Sequence, residues 1–473
     1  MRHRTLLQPA VRAAMGTVVR TLTRAALGVV VAGFVLLGAA CAPLPGGRTV
    51  SVLATWTGVE AEHFGRVLDA FEDRTGIHVE YTGTRAIDET LRSDLRGGTP
   101  PDIAILPSTG DLAQYAHSGD LLPLDNVIPW QGQYRQPWLL RLNQRVYAVP
   151  FKVNLKSVVW YDRARWRRPA PLDMRDLLSL RADGGEQTVW CLGMQALRSA
   201  GWPGTDWIED VLLHRAGPET YRKWASGTLS WSSAPVRQAW ETWGKILDAS
   251  GLDRQGRRVA LLTDFGEAGL GLFGDPPGCL LEHQASFVIV SYPPGSDVDF
   301  FPFPSLNPWD SVPAHQPMVI SADFAGMFNA TPQAEELMRF LAGEEAQRIW
   351  PAIPAGAAFS ANLRVPPDAH PASDPVGRKV ADTLDAAAMV CLDASDLMPP
   401  ALRDAFGDAV LEYLSAPERL PALLAELDRV QARVGDRWRP SDQEREDLRS
   451  FSCPGPLDRS DQPTSTNPNG VIP

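Results

Sequence analysis

An α/β fold of two or three globular units is predicted by three observations. Strand-like and helix-like patterns alternate from about residue 50 to 119, which signals a parallel sheet with helices on its faces. The chain has 473 residues, and at roughly 100–200 residues per domain that is more than one core. The last third returns to helical periodicity over several segments, enough to cover further sheet surface.

The elements follow in order. Val50 to Trp56 reads as a strand ending in an aromatic residue. From Glu60 a helix is predicted, because Phe64, Val67, Leu68 and Phe71 recur at i, i+3, i+4 and i+7 and form one apolar face. Gly76 stops it, and Ile77 to Tyr81 alternates as a second strand. A short helix at 87–95 leads to a third strand at 101–106, then a helix at 111–117 closed by Gly119. Ligands in such sheets sit beyond the carboxyl ends of the strands, here Trp56-Thr57, Thr84-Arg85 and Pro107-Ser108-Thr109. The middle is helical at 205–215, 219–224 and 235–249, with strand-like stretches at 279–281, 287–290, 300–303 and 318–321. Helices return at 332–341, 344–350, 376–389, 402–414 and 420–434. After Pro454 the chain is polar and aperiodic and reads as a disordered tail.

The first forty residues contain no acid, and Arg2, Arg4, Arg12, Arg20 and Arg24 precede an apolar run from Ala25 to Ala40. That pattern is a secretory signal, excluded from fold reasoning, and its core is shorter than the roughly 20 residues of a membrane span. Gly38-Ala39-Ala40-Cys41 resembles a bacterial lipobox, which implies a lipidated Cys41 and an anchor at the membrane, although Leu37 stands one place earlier than usual. An ordinary signal with an incidental cysteine is the plainer alternative, and Met15 is a second possible start. Cleavage leaves residues 41–473, with 41–47 as a spacer, and removal of five arginines takes the net charge from −11 to −16. So acidic a surface argues against nucleic acid or an anionic membrane face as the main partner. Cys191, Cys279, Cys391 and Cys453 remain, an even number that outside the cytoplasm reads as disulfides with three possible connectivities. None has zinc-ligand spacing, so no metal and no cofactor is expected.

Four segments together resemble the extracellular solute-binding proteins of carbohydrate ABC importers (family 1 type). They are Phe71-Glu72-x-x-Thr75-Gly76-Ile77-x-Val79, Pro101-Asp102-Ile103-Ala104, Tyr115-Ala116-x-x-Gly119-x-Leu121-x-Pro123-Leu124, and Tyr147-Ala148-Val149-Pro150 with Asn154. Each is weak alone; their order, over about 50–435, makes the match. The middle is most similar to the alpha-glucoside-binding branch, through the run from Gly201 to Asp210, Pro276-Pro277-Gly278-Cys279 with Gln284-Ala285-Ser286-Phe287, and Asp393-Ala394-Ser395-Asp396-Leu397-Met398-Pro399. The resemblance implies a two-lobe Venus-flytrap fold of the periplasmic-binding-protein type II, hinged between lobes at about 48–154 plus 317–372 and 155–316 plus 373–450. It implies a monomer that passes a sugar to the permease's transmembrane subunits and does no covalent chemistry. It pairs Cys191 with Cys279, and leaves Cys391 and Cys453 as departures that one extra bridge would explain.

A sugar offers apolar C–H faces and a rim of hydroxyls, so its site needs flat aromatic surfaces with carboxylates, amides or arginine around them. The chain has 15 tryptophans, most of which belong in cores. Trp56 and Glu60 lie where the first strand meets a helix, and Trp56 could equally be lobe packing. Arg85 and Thr109 follow the second and third strands. Asn154 sits at the first lobe crossing, where it binds ligand or braces the hinge. Trp202, Asp206 and Trp207 form the densest cluster, with Thr205 as N-cap and Asp206 in the first helical turn, where an acid also serves the helix dipole. Asp323 and Phe324 follow the returning strand, and Asp396 precedes a helix. Gly269-x-Gly271-x-x-Gly274 matches a dinucleotide fingerprint, but no clear strand precedes it and Asp275-Pro276-Pro277 stops any helix after it. Two other readings are a scaffold or wall-polymer-binding lipoprotein, and a glycoside hydrolase, which would need two carboxyl groups about 5 Å apart.

Overall fold

The computed structural model describes residues 48–171, 173–181, 188–304, 316–437 and 440–457. The described residues from Val50 onward form one unit, and of the preceding stretch only residues 48 and 49 are described. The signal, Cys41 and the spacer to residue 47 lie outside the described residues.

The predicted opening folds as strand, helix, strand: β1 (Thr49–Ala54), α1 (Val59–Thr75), β2 (His78–Gly83), α2 (Ile87–Gly97), β3 (Ile103–Leu106) and α3 (Thr109–Ser118). The apolar stripe of α1 is its buried face, with Phe64, Val67, Leu68 and Phe71 all covered. Gly76 ends α1 with φ of 66°, a left-handed cap that a residue with a Cβ adopts only at a cost. β1 and β3 are parallel, Val52 opposite Ile103 and Ala54 opposite Ile105.

Two long strands then set the architecture, β5 (Arg145–Leu155) and β10 (Pro317–Met327), with β4 (Leu140–Leu142) joined to β5 through Asn143 and Gln144, both at positive φ. The larger sheet runs β2-β1-β3-β10-β5-β4, and β11 (Met389–Leu392) pairs with β10. It is mixed, where alternation alone predicts a parallel sheet. β10 is antiparallel to both β3 and β5, because it re-enters from elsewhere in the chain and not through a βαβ crossover. A register shift between Asp323 and Phe324 marks this crossing.

The second sheet is β7 (Thr188–Trp190), β8 (Cys279–His283), β6 (Val158–Asp162) and β9 (Val298–Pro302), in that order. After α4 (Met174–Ser179), helices α5 (Trp202–Ala225), α6 (Ala234–Ala249) and α7 (Arg254–Leu262) make up most of the middle. α5 kinks at Gly217 before Pro218, where the periodicity also breaks. It begins at Trp202 with Gly201 as its cap, so Thr205 is not the N-cap and Asp206 lies beyond the first turn. Residues 286–291 form a 3-10 turn instead of a strand. The Gly269–Gly274 run also lies at a 3-10 turn, not between a strand and a helix.

The remaining helices are α8 (Pro332–Ala342), α9 (Glu344–Ile349), α10 (Pro375–Ala386), α11 (Ala394–Leu397), α12 (Pro400–Ser415), α13 (Leu420–Arg437) and α14 (Asp442–Ser452). The helix expected at 376–389 stops at Ala386, and Met389 opens β11. Packing extends past the expected limit at 450: Phe451, Cys453 and Leu457 are buried. Cys191 is bonded to Cys279, the pairing the resemblance implies, and Cys391 to Cys453, the extra bridge that accounts for the two departures. The second bridge holds the end of α14 to β11. Glu444 of α14 also meets His117 at 3.2 Å, Asn143 donates its backbone N–H to Asp447 at 2.8 Å, and Arg449 meets Glu219 at 2.8 Å.

Candidate functional site

The two crossing strands carry an unusual load of buried polar side chains. Lys152 on β5 stands opposite Asp323 on β10, and Asn154 opposite Ser321; all four are buried. Strand periodicity puts Lys152 and Asn154 on one face. The Lys152 ammonium lies 2.6 Å from Glu60 Oε1, and the Arg85 guanidinium 3.0 Å from Glu60 Oε2. Burial alone would push the Glu60 carboxyl up, but Lys152 and Arg85 outweigh it and hold the group below the ordinary range. The Lys152 Nζ also lies 5.0 Å from the Trp350 ring centroid and 6.0 Å from those of Trp56 and Phe287. Trp56 packs edge-on against Trp350 at 4.8 Å and donates its indole N–H to Asp323. Burial pushes Asp323 to about 6, with Lys152 opposing.

Immediately past β5, Lys156 forms a second centre. Its Nζ lies 2.8 Å from Asp206 Oδ1 on α5 and is bonded to Asp393 Oδ2 at the start of α11. Asp393 caps that turn, accepting from the Asp396 N–H at 3.0 Å and from the Ser395 hydroxyl at 2.6 Å. Glu209, one turn after Asp206, accepts from the Ala394 and Ser395 N–H groups at 2.7 and 3.1 Å. Oxygens of Asp206, Glu209 and Asp393 lie within 4.8 Å of one another, and the Lys156 ammonium is the cation among them. Burial would lower Lys156, yet the surrounding carboxylates hold it well above its usual value. Asp393 carries the charge: Lys156 and its N–H and hydroxyl donors hold it low despite burial. Burial lifts Asp206 well up, against Lys156. Asp396 is pushed to about 8 by burial and by the charge on Asp393.

An aromatic surface adjoins this centre. Trp202, half-buried at the start of α5, packs against Phe265 at 5.0 Å and Phe287 at 5.9 Å, and Lys156 Nζ lies 5.3 Å from its ring centroid. Phe287 is thus shared between the Lys152 and Lys156 groups. Thr109 donates its hydroxyl to the Asp396 carbonyl at 3.3 Å. Arg403 links the base of α3 to this region, 2.9 Å from Asp111 and 2.8 Å from Asp88.

The sequence-predicted residues therefore fall into three sets. Trp56, Glu60, Arg85 and Asp323 gather around Lys152; Trp202, Asp206, Asp396 and Thr109 gather around Lys156; Asn154 lies on the strand between the lysines. Trp207 and Phe324 stand apart from both. Trp207 is 1% exposed and packs on Trp190 at 4.7 Å and His283 at 4.5 Å, and Phe324 faces Phe451 at 5.4 Å. Both are core residues, because helical and strand periodicity turn them away from neighbours that face the site. Sequence reasoning missed Lys152, Lys156, Phe287 and Asp393. A signal for the lysines exists: the chain has few, and two stand four apart around Asn154, one in a largely apolar strand and one just past its end.

These carboxyls have a consequence for stability. Asp323 and Asp111 are raised to about 6, and Asp396 and Glu282 to about 8, in each case chiefly by burial. A carboxyl raised on folding contributes stability that is full below its unfolded pKa and is lost as pH rises through the folded value. Glu60 and Asp393, held low, act only in the opposite sense and in more acid solution. The melting temperature should therefore fall as pH rises from about 5 to above 8. Calorimetry across that range checks this, and Asp396→Asn should flatten the upper part. A melting temperature that climbs over the same window contradicts it.

The sequence matches the family model described as bacterial extracellular solute-binding protein over residues 58–348. The chain is 31% identical over 385 residues to the osmoprotective compounds-binding protein GgtB of Synechocystis, covering 78% of this chain and 90% of that protein. It is 32% identical over 375 residues to the alpha-glucosides-binding periplasmic protein AglE of Rhizobium meliloti, covering 75% and 80%. Among solved structures, the bacterial solute receptor AcbH superposes with TM-score 0.69 at 16% identity, covering 82% of this chain and 99% of that one. RafE in complex with raffinose gives 0.62 at 14% identity, covering 81% and 98%. The architecture is the two-lobe α/β fold of such receptors, and the chain belongs to the bacterial extracellular solute-binding proteins, the solute-capturing components of ABC importers.

Proposed function

We propose that this chain captures an alpha-glucoside or a similar oligosaccharide outside the cell and delivers it, as a lipid-anchored monomer, to the transmembrane subunits of its importer. The observation that carries the sugar reading is a pair of buried polar atoms, Asn154 Oδ1 and Asp206 Oδ2, with no protein partner. Leaving such an atom unpaired costs about 1–3 kcal/mol, and the hydroxyls of a solute, which both donate and accept, supply the missing partners. The half-buried face of Trp202 supplies the apolar platform. The binding specificity in the AglE name points the same way.

The lobes in this reading are 48–154 with 317–372 and 155–316 with 373–450, and β5 and β10 cross between them. β11 lies within the second lobe's share yet joins the first half of β10, so this strand sits at the hinge. Solute that touches both the Lys152 and the Lys156 groups favours the closed form by its differential affinity. The anchor is an acylated Cys41, supported by the signal before it; among the described residues no helix is long and apolar enough to cross a membrane. In this reading the protein performs no covalent chemistry, in keeping with relatives that are solute-binding proteins.

A thermal-shift screen of the mature chain against maltose, trehalose, sucrose, other glucosides, glycerophosphodiesters and monosaccharides tests the reading. A true ligand at a hundred times Kd stabilises by about 2.7 kcal/mol. Trp202→Ala should weaken that ligand at least tenfold, about 1.4 kcal/mol. No shift with any sugar at millimolar concentration would sink the sugar assignment.

A further inference from the structure

We propose that α14 and the residues after it form a strap between the two lobes, one that favours their closed arrangement and so raises the affinity for solute without touching it. The proposal rests on the hinged two-lobe reading given above, and it concerns the balance between open and closed forms, not what the site recognises.

α14 is a stiff connector held at both sides. Its start is closed by a capping box, in which Ser441 and Glu444 each accept from the other's backbone N–H, so its first turn holds without outside help. The lobe limits count residues 442–450 in the second lobe, yet one side of the helix is bound to the first. Glu444 meets His117 of α3 and the Asn143 side-chain amide, each at 3.2 Å, and Asp447 accepts the Asn143 N–H. Phe451 packs on Phe324 of β10 at 5.4 Å. Further on, the Leu457 carbonyl accepts from Arg135 Nε at 2.9 Å, and its buried side chain lines a small cavity with Phe359, Val365 and His370. The other side is bound to α5: Arg449 meets Glu219 at 2.8 Å, and Arg222 donates to the Cys453 carbonyl at 3.3 Å. The Cys391–Cys453 bond fastens the same point to β11, which joins the first half of β10.

The strap therefore ties the β4–β5 hairpin, whose second strand carries Lys152, to the helix that opens with Trp202 and carries Asp206. These elements hold the two halves of the solute site. A swing of one lobe away from the other must stretch or break the contacts at one end of α14. The α5 end is the one to yield, because Arg449 and Glu219 are exposed and Arg222 is half-buried. Exposed ion pairs contribute little to folding. The balance between two lobe arrangements is small enough for such contacts to move it, provided they are made in only one of them. Neither arginine belongs to the Lys152 or the Lys156 group, so their loss leaves the site residues in place.

Small-angle X-ray scattering and titration calorimetry on the mature chain test the strap, with the sugar found in the screen as the probe. The double variant Arg222→Ala, Arg449→Ala releases α14 from α5, and Cys391→Ser, Cys453→Ser releases it from β11. Arg429→Ala removes an exposed ion pair on α13 and is the control for charge loss alone. Free double variant should have a larger radius of gyration than free wild type and the same radius once saturated. Its Kd should weaken by about three- to tenfold, as apparent affinity falls with the closed fraction. The serine pair should move both readings in the same direction, so either variant decides if the other fails to fold. Arg429→Ala should match wild type. Folded variants with the wild-type free radius and Kd overturn the strap, and the free radius alone decides it if no sugar is found. A wild type that contracts with sugar, beside variants that behave like it, removes the strap and keeps the hinge. A wild type that binds sugar with no change of radius removes the hinge reading, and the strap with it.

Discussion

Lys156→Met is expected to abolish solute binding and to destabilise the protein by about 3–5 kcal/mol, the cost of leaving buried charges without their partner. The ammonium is buried and serves two carboxylates at once, with Glu209 beside them. Without it Asp206, Glu209 and Asp393 face one another in a dry site, and protons must be taken up to keep them there. Binding is lost because Asp206 and the rim of Trp202 are placed by this lysine. The triple variant Lys156→Met, Asp206→Asn, Asp393→Asn separates the two effects. Neutralising the whole group should recover most of the stability, since buried ion pairs are weak net stabilisers, and should leave binding absent. Urea melts and titration calorimetry on both variants give the answer. A single variant that melts like wild type would show that the lysine is not structurally required.

Gly201→Ala is the second large effect expected. Gly201 has φ of 97° and caps α5 directly before Trp202. A Cβ there would stand 2.5 Å from the Gly407 carbonyl oxygen, and one on Gly407 would stand 2.9 Å from that of Ala200. The two backbones touch because both residues lack side chains. The alanine thus combines a left-handed backbone, about 1–3 kcal/mol, with overpacking of similar size. A loss of roughly 2–5 kcal/mol is expected, together with weaker solute binding as α12 is pushed from α5 and Trp202 shifts. Gly119→Ala is the control: its φ is 86° but nothing lies near its Cβ, so only the backbone part should appear. Equal melting points for the two variants would remove the close-packing argument.

Much of the scaffold was legible in the sequence, since local pattern and burial agree there. The stripe Phe64, Val67, Leu68, Phe71 becomes the buried face of α1, and Gly76 becomes its left-handed cap. The direction of β10 was not legible, because strand polarity depends on where a chain returns from and leaves no local trace. Nor was β11, whose four residues continue the apolar pattern of the helix before them. At the site, strand ends pointed to Glu60, Arg85 and Thr109, which the fold brings beside Lys152 and Asp396. The lysines themselves were hidden by a general rule: lysine is rarely buried unless paired. Their partners Glu60, Asp206 and Asp393 lie 92, 50 and 237 positions away, so nothing nearby announces the pairing. Trp207 and Phe324 were indistinguishable from site residues by type and neighbourhood, and only their burial against His283 and Phe451 tells them apart.

The last helix has a role that its place at the end of the described chain conceals. β4 is the terminal strand of the larger sheet, and such a strand offers unpaired backbone groups to any passing chain. α14 lies against the β4–β5 hairpin, with Asp447 accepting the Asn143 N–H and Glu444 accepting from its side-chain amide. The Cys391–Cys453 bond fastens it from the other side. α14 is thus an edge guard riveted in place. A recombinant protein cut after Arg437 would keep the residues of the proposed solute site yet bare an open sheet edge and an unpaired Cys391, two routes to aggregation.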